Sequence, residues 1–195
     1  MATSKVQIAN AALQKLGAKR IESLTQDSAN ARSMNAAFEG VRDSMFRRYD
    51  WSFAIRRASI AADAAQTEWG SWNRYSLPAD FIRLIRDDES GTNLDWRIES
   101  GAEGEGAFIV TADSSPLEIR YVAKVEDPNQ FDVLFVEALE HKLAAETCEE
   151  ITGSTSKQQR LDAAYDQAIA EAKRVGAIEK PAQDFPEDDW LAARY

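Results

Sequence analysis

Few residues in this chain could carry acid–base or ligand chemistry. His141 is the single histidine and Cys148 the single cysteine. Seven residues apart, about two helical turns, they share a helix face, but a closed metal site needs about four donors. The pair therefore reads as a surface imidazole and a buried thiol, and no metal or cofactor is expected. A Ser-His-Asp triad would need His141 as its base, and no Gly-x-Ser-x-Gly elbow presents a serine. The segment GAEGEG has the glycine density of a phosphate loop, but its two glutamates stand where an anion would sit, so it reads as a hairpin turn.

Carboxylates are plentiful. Glu39, Asp43 and Asp50, or Glu146, Glu149 and Glu150, could supply the acid and base of a glycoside hydrolase. That is the alternative function, a cell-wall glycosidase. Acids on helix faces are far more often solvated surface, and the primary expectation is a protein that is not an enzyme.

The arginines say more. Arg42, Arg47, Arg48, Arg56 and Arg57 cluster within sixteen residues, whereas residues 126–195 hold sixteen Asp and Glu against seven Lys and Arg. A molecule with a positive and a negative region can join copies of itself head to tail, and such heterologous contacts close into rings. These five arginines are thus subunit-interface candidates; intrachain salt bridges to the C-terminal helices are the other reading. The overall charge of −10 disfavours adhesion to nucleic acid, which needs cations to displace counterions. It suits an acidic wall past which a duplex slides.

The elements that must position these groups follow from hydrophobic periodicity. Thr3 or Ser4 caps a first helix over about 4–16, with Val6, Ala9, Leu13 and Leu16 as its stripe and Gly17 as its stop. The linker AKRIESLTQD anchors through Ile21 and Leu24. A second helix over about 28–49, capped by Asp27 or Ser28, buries Met34, Phe38, Val41 and Met45 and leaves its arginines, Arg42 included, on the remaining face. At Trp51 the period changes to two, and Trp51, Phe53 and Ile55 predict a half-buried strand from Trp51 to Ile60. The β region, about 51–125, continues through YSLP, where Pro78 marks an edge segment, and the apolar run from Phe81 to Ile85. Strands at Leu94–Ser100, Ala107–Thr111 and Leu117–Val125, joined by turn-rich segments, predict an antiparallel meander.

From Pro128 the helical period returns over about 129–152, stopped by Gly153, and a last helix over about 154–175 ends at Gly176. The predicted fold class is α+β, mainly α: a helical bundle with a small antiparallel β-sheet inserted between the N-terminal and C-terminal helices. Residues 1–176 form one domain. Residues 177–195 form an extended acidic C-terminal arm whose apolar anchors suit docking. The N-terminus has no apolar h-region and no stretch is long enough to span a membrane, so no membrane anchor is expected and synthesis in a reducing cytoplasm is.

The first helix ending in LG, the segment DSANARSMNAAFEGVRDSMFRRYDWSFAIRR, then YSLPADFIRLI, a short β region and two helices together resemble the head-to-tail adaptor (connector) proteins of short-tailed bacteriophages, the tail tubular protein A type. The resemblance covers nearly the whole chain in its order of elements. Its most specific parts are ANAR with Trp51 and Phe53 after the helix, and LPADF from Leu77 to Phe81. It implies a dodecameric ring below the portal protein, a DNA channel through the middle, and a lower face that receives tail proteins such as a nozzle. It also implies that the ending DDWLAARY, with Asp189, Trp190, Leu191, Arg194 and Tyr195, is a portal-binding arm. The implied localisation is the tail connector of the virion, and no catalytic motif carries over.

Overall fold

The computed structural model describes residues 3–64, 72–85, 96–101 and 106–178. Four helices are described: α1 (Lys5–Leu16), α2 (Ala29–Arg48), α3 (Val133–Thr152) and α4 (Thr155–Ile178). Six strands lie between α2 and α3: β1 (Ile55–Ile60), β2 (Asn73–Ser76), β3 (Phe81–Leu84), β4 (Trp96–Ser100), β5 (Ala107–Thr111) and β6 (Leu117–Ala123). The fold is α+β and mainly α, as the periodicity predicts.

The helix starts are set by side chains that satisfy orphan N–H groups. Ser4 accepts from the Gln7 N–H while the Gln7 side chain accepts from the Ser4 N–H, a reciprocal capping box. Ser28, not Asp27, caps α2 by accepting from Ala31; Asp27 pairs with Arg32 instead. Asp132 caps α3 through the N–H groups of Leu134 and Phe135. Pro128 consequently begins only a 3-10 turn (Pro128–Gln130), and α3 starts later than Pro128 suggested. Gly17 and Gly153 close α1 and α3 in the left-handed region, at φ 70° and 63°. Between α1 and α2, Asn10 clamps Ile21, its amide donating to the Ile21 carbonyl and its oxygen accepting from the Ile21 N–H, both at 2.8 Å.

The helices form one core. The Ser33 hydroxyl donates to Glu150 at 2.5 Å, while Phe46 stacks on Phe135 at 5.0 Å, so α2 runs antiparallel to α3. The ends of α2, α3 and α4 at Arg48, Val133 and Ile178 therefore share one end of the bundle, and the strands join there. At that end Trp51, 4% exposed, donates its indole N–H to the Met45 carbonyl at 3.1 Å and meets Phe135 edge-on.

Two features of the β region differ from expectation. Trp51 and Phe53 are not strand residues: a 3-10 turn (Ser52–Ala54) turns both toward the helical core, and the strand begins only at Ile55. Two sheets replace the single meander, with strand orders β1-β6-β3 and β2-β5-β4. Pairing is antiparallel throughout, but only β4 and β5 are sequence neighbours in a hairpin, closed where the Gly101 N–H meets the Gly106 carbonyl at 2.8 Å. β6 joins the halves by period-two alternation: Leu117, Ile119, Tyr121 and Ala123 pack with Tyr75 and Ile109 in a second core, and Val122 faces the helices.

Gly176 does not stop α4, which continues to Ile178. A β-carbon there would lie 3.1 Å from the Tyr49 hydroxyl oxygen, so this glycine gives room for a side chain of α2's C-terminal end.

Candidate assembly interface

The arginine cluster lies where α2 hands over to β1, and its members meet different fates. Arg42 leaves the cluster: it is fully buried, against the expectation of a surface position. Its Nε donates to Asp43 Oδ1 at 2.7 Å, and its Nη1 and Nη2 have no hydrogen-bond partner. Asp43 also lies 3.4 Å from Lys124 Nζ. The apolar stripe is wider than steps of three and four suggested, because Phe46 and Arg42 both turn inward beside Phe38 and Met45.

Arg56 is committed to the chain. It pairs with Asp80, which also accepts from the Tyr121 hydroxyl at 3.0 Å. Burial first, and the bond to Asp80 second, raise the Tyr121 pKa above its ordinary 10.0. Asp80 belongs to the LPADF segment, and its carbonyl accepts from the Lys124 N–H at 2.7 Å, so this motif works as a brace between β3 and β6. Arg83 pairs with Asp50 in the same region. The carboxylates that neutralise the arginines are thus Asp43, Asp50 and Asp80 rather than acids of the C-terminal helices. Arg57 stands opposite Arg120 in the β1–β6 register.

Arg47 and Arg48 are exposed on the last turn of α2, where cations complement the helix dipole. Arg47 donates to the Ile82 carbonyl at 2.9 Å. Neither forms an ion pair with a carboxylate among the described residues. Beside them Tyr49 accepts the end of α4: its hydroxyl donates to the Lys173 carbonyl at 3.4 Å, and Lys173 Nζ sits 5.7 Å from its ring centre. Burial, then Asp50, raises the Tyr49 pKa from 10.0. Arg174, 72% exposed, adds a fourth cation and lies only at the limit of contact with Glu171, 3.9 Å away. Sequence reasoning missed Tyr49, Lys173 and Arg174; basic residues in the closing turns of α4 were the available signal.

The carboxylates of the glycosidase reading are spread out and none is buried. Glu39 meets Lys5 at 3.4 Å, Glu146 meets Lys142 at 3.7 Å, Glu150 accepts from Ser33, and Glu149 is exposed. Among the described residues no group of three or more His, Cys, Asp or Glu could hold a metal ion, and no helix is long and apolar enough to cross a membrane. Cys148 is buried. His141 is half-buried, and burial followed by nearby Lys15 lowers its pKa from 6.5. Asp189, Trp190, Leu191, Arg194 and Tyr195 lie outside the described residues.

No family model matches the chain, and no curated protein matches it.

Proposed function

We propose that this chain is the structural subunit of a bacteriophage head-to-tail adaptor. It is made in the host cytoplasm and incorporated into the virion as a ring, a dodecamer, between the portal protein and the tail proteins, with DNA passing through the ring without specific binding. The observation that supports this reading best is the exposed pair Arg47 and Arg48, which no carboxylate neutralises among the described residues of a chain whose net charge is −10. A cationic pair on a largely acidic subunit suits an acidic face of the next copy, and a head-to-tail contact of that kind closes into a ring. The excess of acid suits a conduit to which DNA does not adhere. The order of elements over nearly the whole chain resembles these adaptors, and the acidic arm with Trp190, Leu191 and Tyr195 fits docking on the portal. Subunits remain apart until the portal orders the arm, and binding free energy is released only there.

Deleting residues 188–195 tests the arm. The shortened protein keeps the helical circular dichroism of the full chain and no longer co-sediments with purified portal rings. Binding at full-length affinity would refute the assignment of the arm.

A further inference from the structure

The bundle end at Arg48 and Ile178 combines two features that are rare on this chain. Arg47 and Arg48 on α2 and Lys173 and Arg174 on α4 surround Tyr49 and are all exposed. Nearby carboxylates are already engaged, Asp50 by Arg83 and Asp43 by Arg42 and Lys124. The same end bears the two most exposed large apolar side chains of the described residues, Val133 at 77% and Ile178 at 75%.

The segment that leaves the domain at this point has the complementary chemistry. Residues 179–195 contain Glu179, Asp184, Glu187, Asp188 and Asp189 against Lys180 and Arg194, with Phe185, Trp190 and Leu191 interleaved. It departs from Ile178, two residues and about 3 Å of helix rise beyond Gly176, and Gly176 itself abuts Tyr49. The cationic cluster and the acidic segment are thus joined by a short tether. A flexible chain of about ten residues spans roughly 16–19 Å, and such a tether holds its end at millimolar effective concentration near its anchor.

We propose that in the free subunit residues 184–191 fold back on this end, their carboxylates against Arg47, Arg48, Lys173 and Arg174 and their aromatic side chains over Val133 and Ile178. The contact is an intramolecular latch. It rests on the adaptor reading only for its purpose: while the arm covers Arg47 and Arg48, a neighbouring copy has no cationic pair to dock on, and a partner that captures the arm uncovers it. Docking of a copy thereby becomes conditional on capture of the arm.

The full-length free chain tests the latch without any partner. A nitroxide is placed on the arm through Ala192→Cys, the native Cys148 being buried, and its mobility is read by electron paramagnetic resonance. At low ionic strength the label is immobilised, and at about 1 M salt, where the screening length falls to about 3 Å, it becomes mobile. Reversing the arm (Glu187→Lys, Asp188→Lys, Asp189→Lys) changes no residue of the folded domain and frees the label at low salt. Adding Arg47→Glu and Arg48→Glu to the reversed arm immobilises it again. A label equally mobile in the native and reversed arms at low salt overturns the latch, as does immobilisation that is indifferent to salt. Failure to bind portal rings bears on the adaptor reading alone and leaves these spectra unchanged.

Discussion

At the scale of single residues, Trp51 and Arg42 make opposite contributions at the junction of bundle and sheet. Trp51 fills the space between Tyr49, Phe53 and Phe135 and keeps its N–H satisfied. Trp51→Ala removes that packing and lowers the unfolding free energy by about 3–5 kcal/mol in urea titrations. Arg42 is a buried cation with only its Nε bonded, and a buried ion pair is seldom worth its desolvation. Arg42→Met therefore leaves stability unchanged or raises it by about 1–4 kcal/mol, whereas Asp43→Asn strands the guanidinium and destabilises by about 3–5 kcal/mol. The same titrations check both, and a large loss in Arg42→Met would contradict this account of the pair.

His141 gives the pH dependence a sign. Its folded pKa lies below 6.5, through burial and then Lys15, so as pH falls through 6.5 the unfolded chain takes up a proton that the folded chain resists. Stability contributed by neutral His141 is lost in that direction. Glu140, raised from 4.5 by burial, works the opposite way. Comparison with His141→Gln isolates the first effect, because Glu140 is present in both proteins. The midpoint of thermal unfolding falls further between pH 7.5 and 5.5 in the native protein than in the variant.

At the scale of elements, what was legible in the sequence was what local chemistry decides. Ser4, Gly17, Ser28 and Gly153 mark helix boundaries because caps act on neighbouring N–H and carbonyl groups. The β region was misread where nonlocal contacts decide. Trp51, Phe53 and Ile55 alternate as a strand would, yet the aromatic core formed with Phe46, Phe131 and Phe135 holds the first two in a tight turn. β6 pairs with β1 and β3, not with adjacent β5, and no turn residue signals that choice. Gly176 looked like a stop because only its contact with Tyr49, far away in the chain, explains it. Alanine at 176 gains about 1 kcal/mol of helix propensity and presses a β-carbon on the Tyr49 oxygen. Gly176→Ala therefore stabilises more in a Tyr49→Phe background than in the native protein, a difference that a double-mutant cycle measures.

At the scale of the whole molecule, the candidate interface was half legible. Clustered arginines drew attention to the right junction, but Arg42 is buried, Arg56 is spent on Asp80, and the exposed cations extend to Lys173 and Arg174, which one-dimensional spacing could not bring beside α2. What remains at the surface is a basic patch on an acidic body, the feature on which head-to-tail assembly of identical subunits depends. Light scattering coupled to size-exclusion chromatography, run on the full chain alone and with purified portal rings, tests that assembly most directly. The adaptor account predicts the mass of a monomer for the free chain and a portal complex heavier by a ring of subunits, lost when Arg47 and Arg48 are both changed to Glu. A stable ring formed without the portal, or a portal peak of unchanged mass, would contradict it.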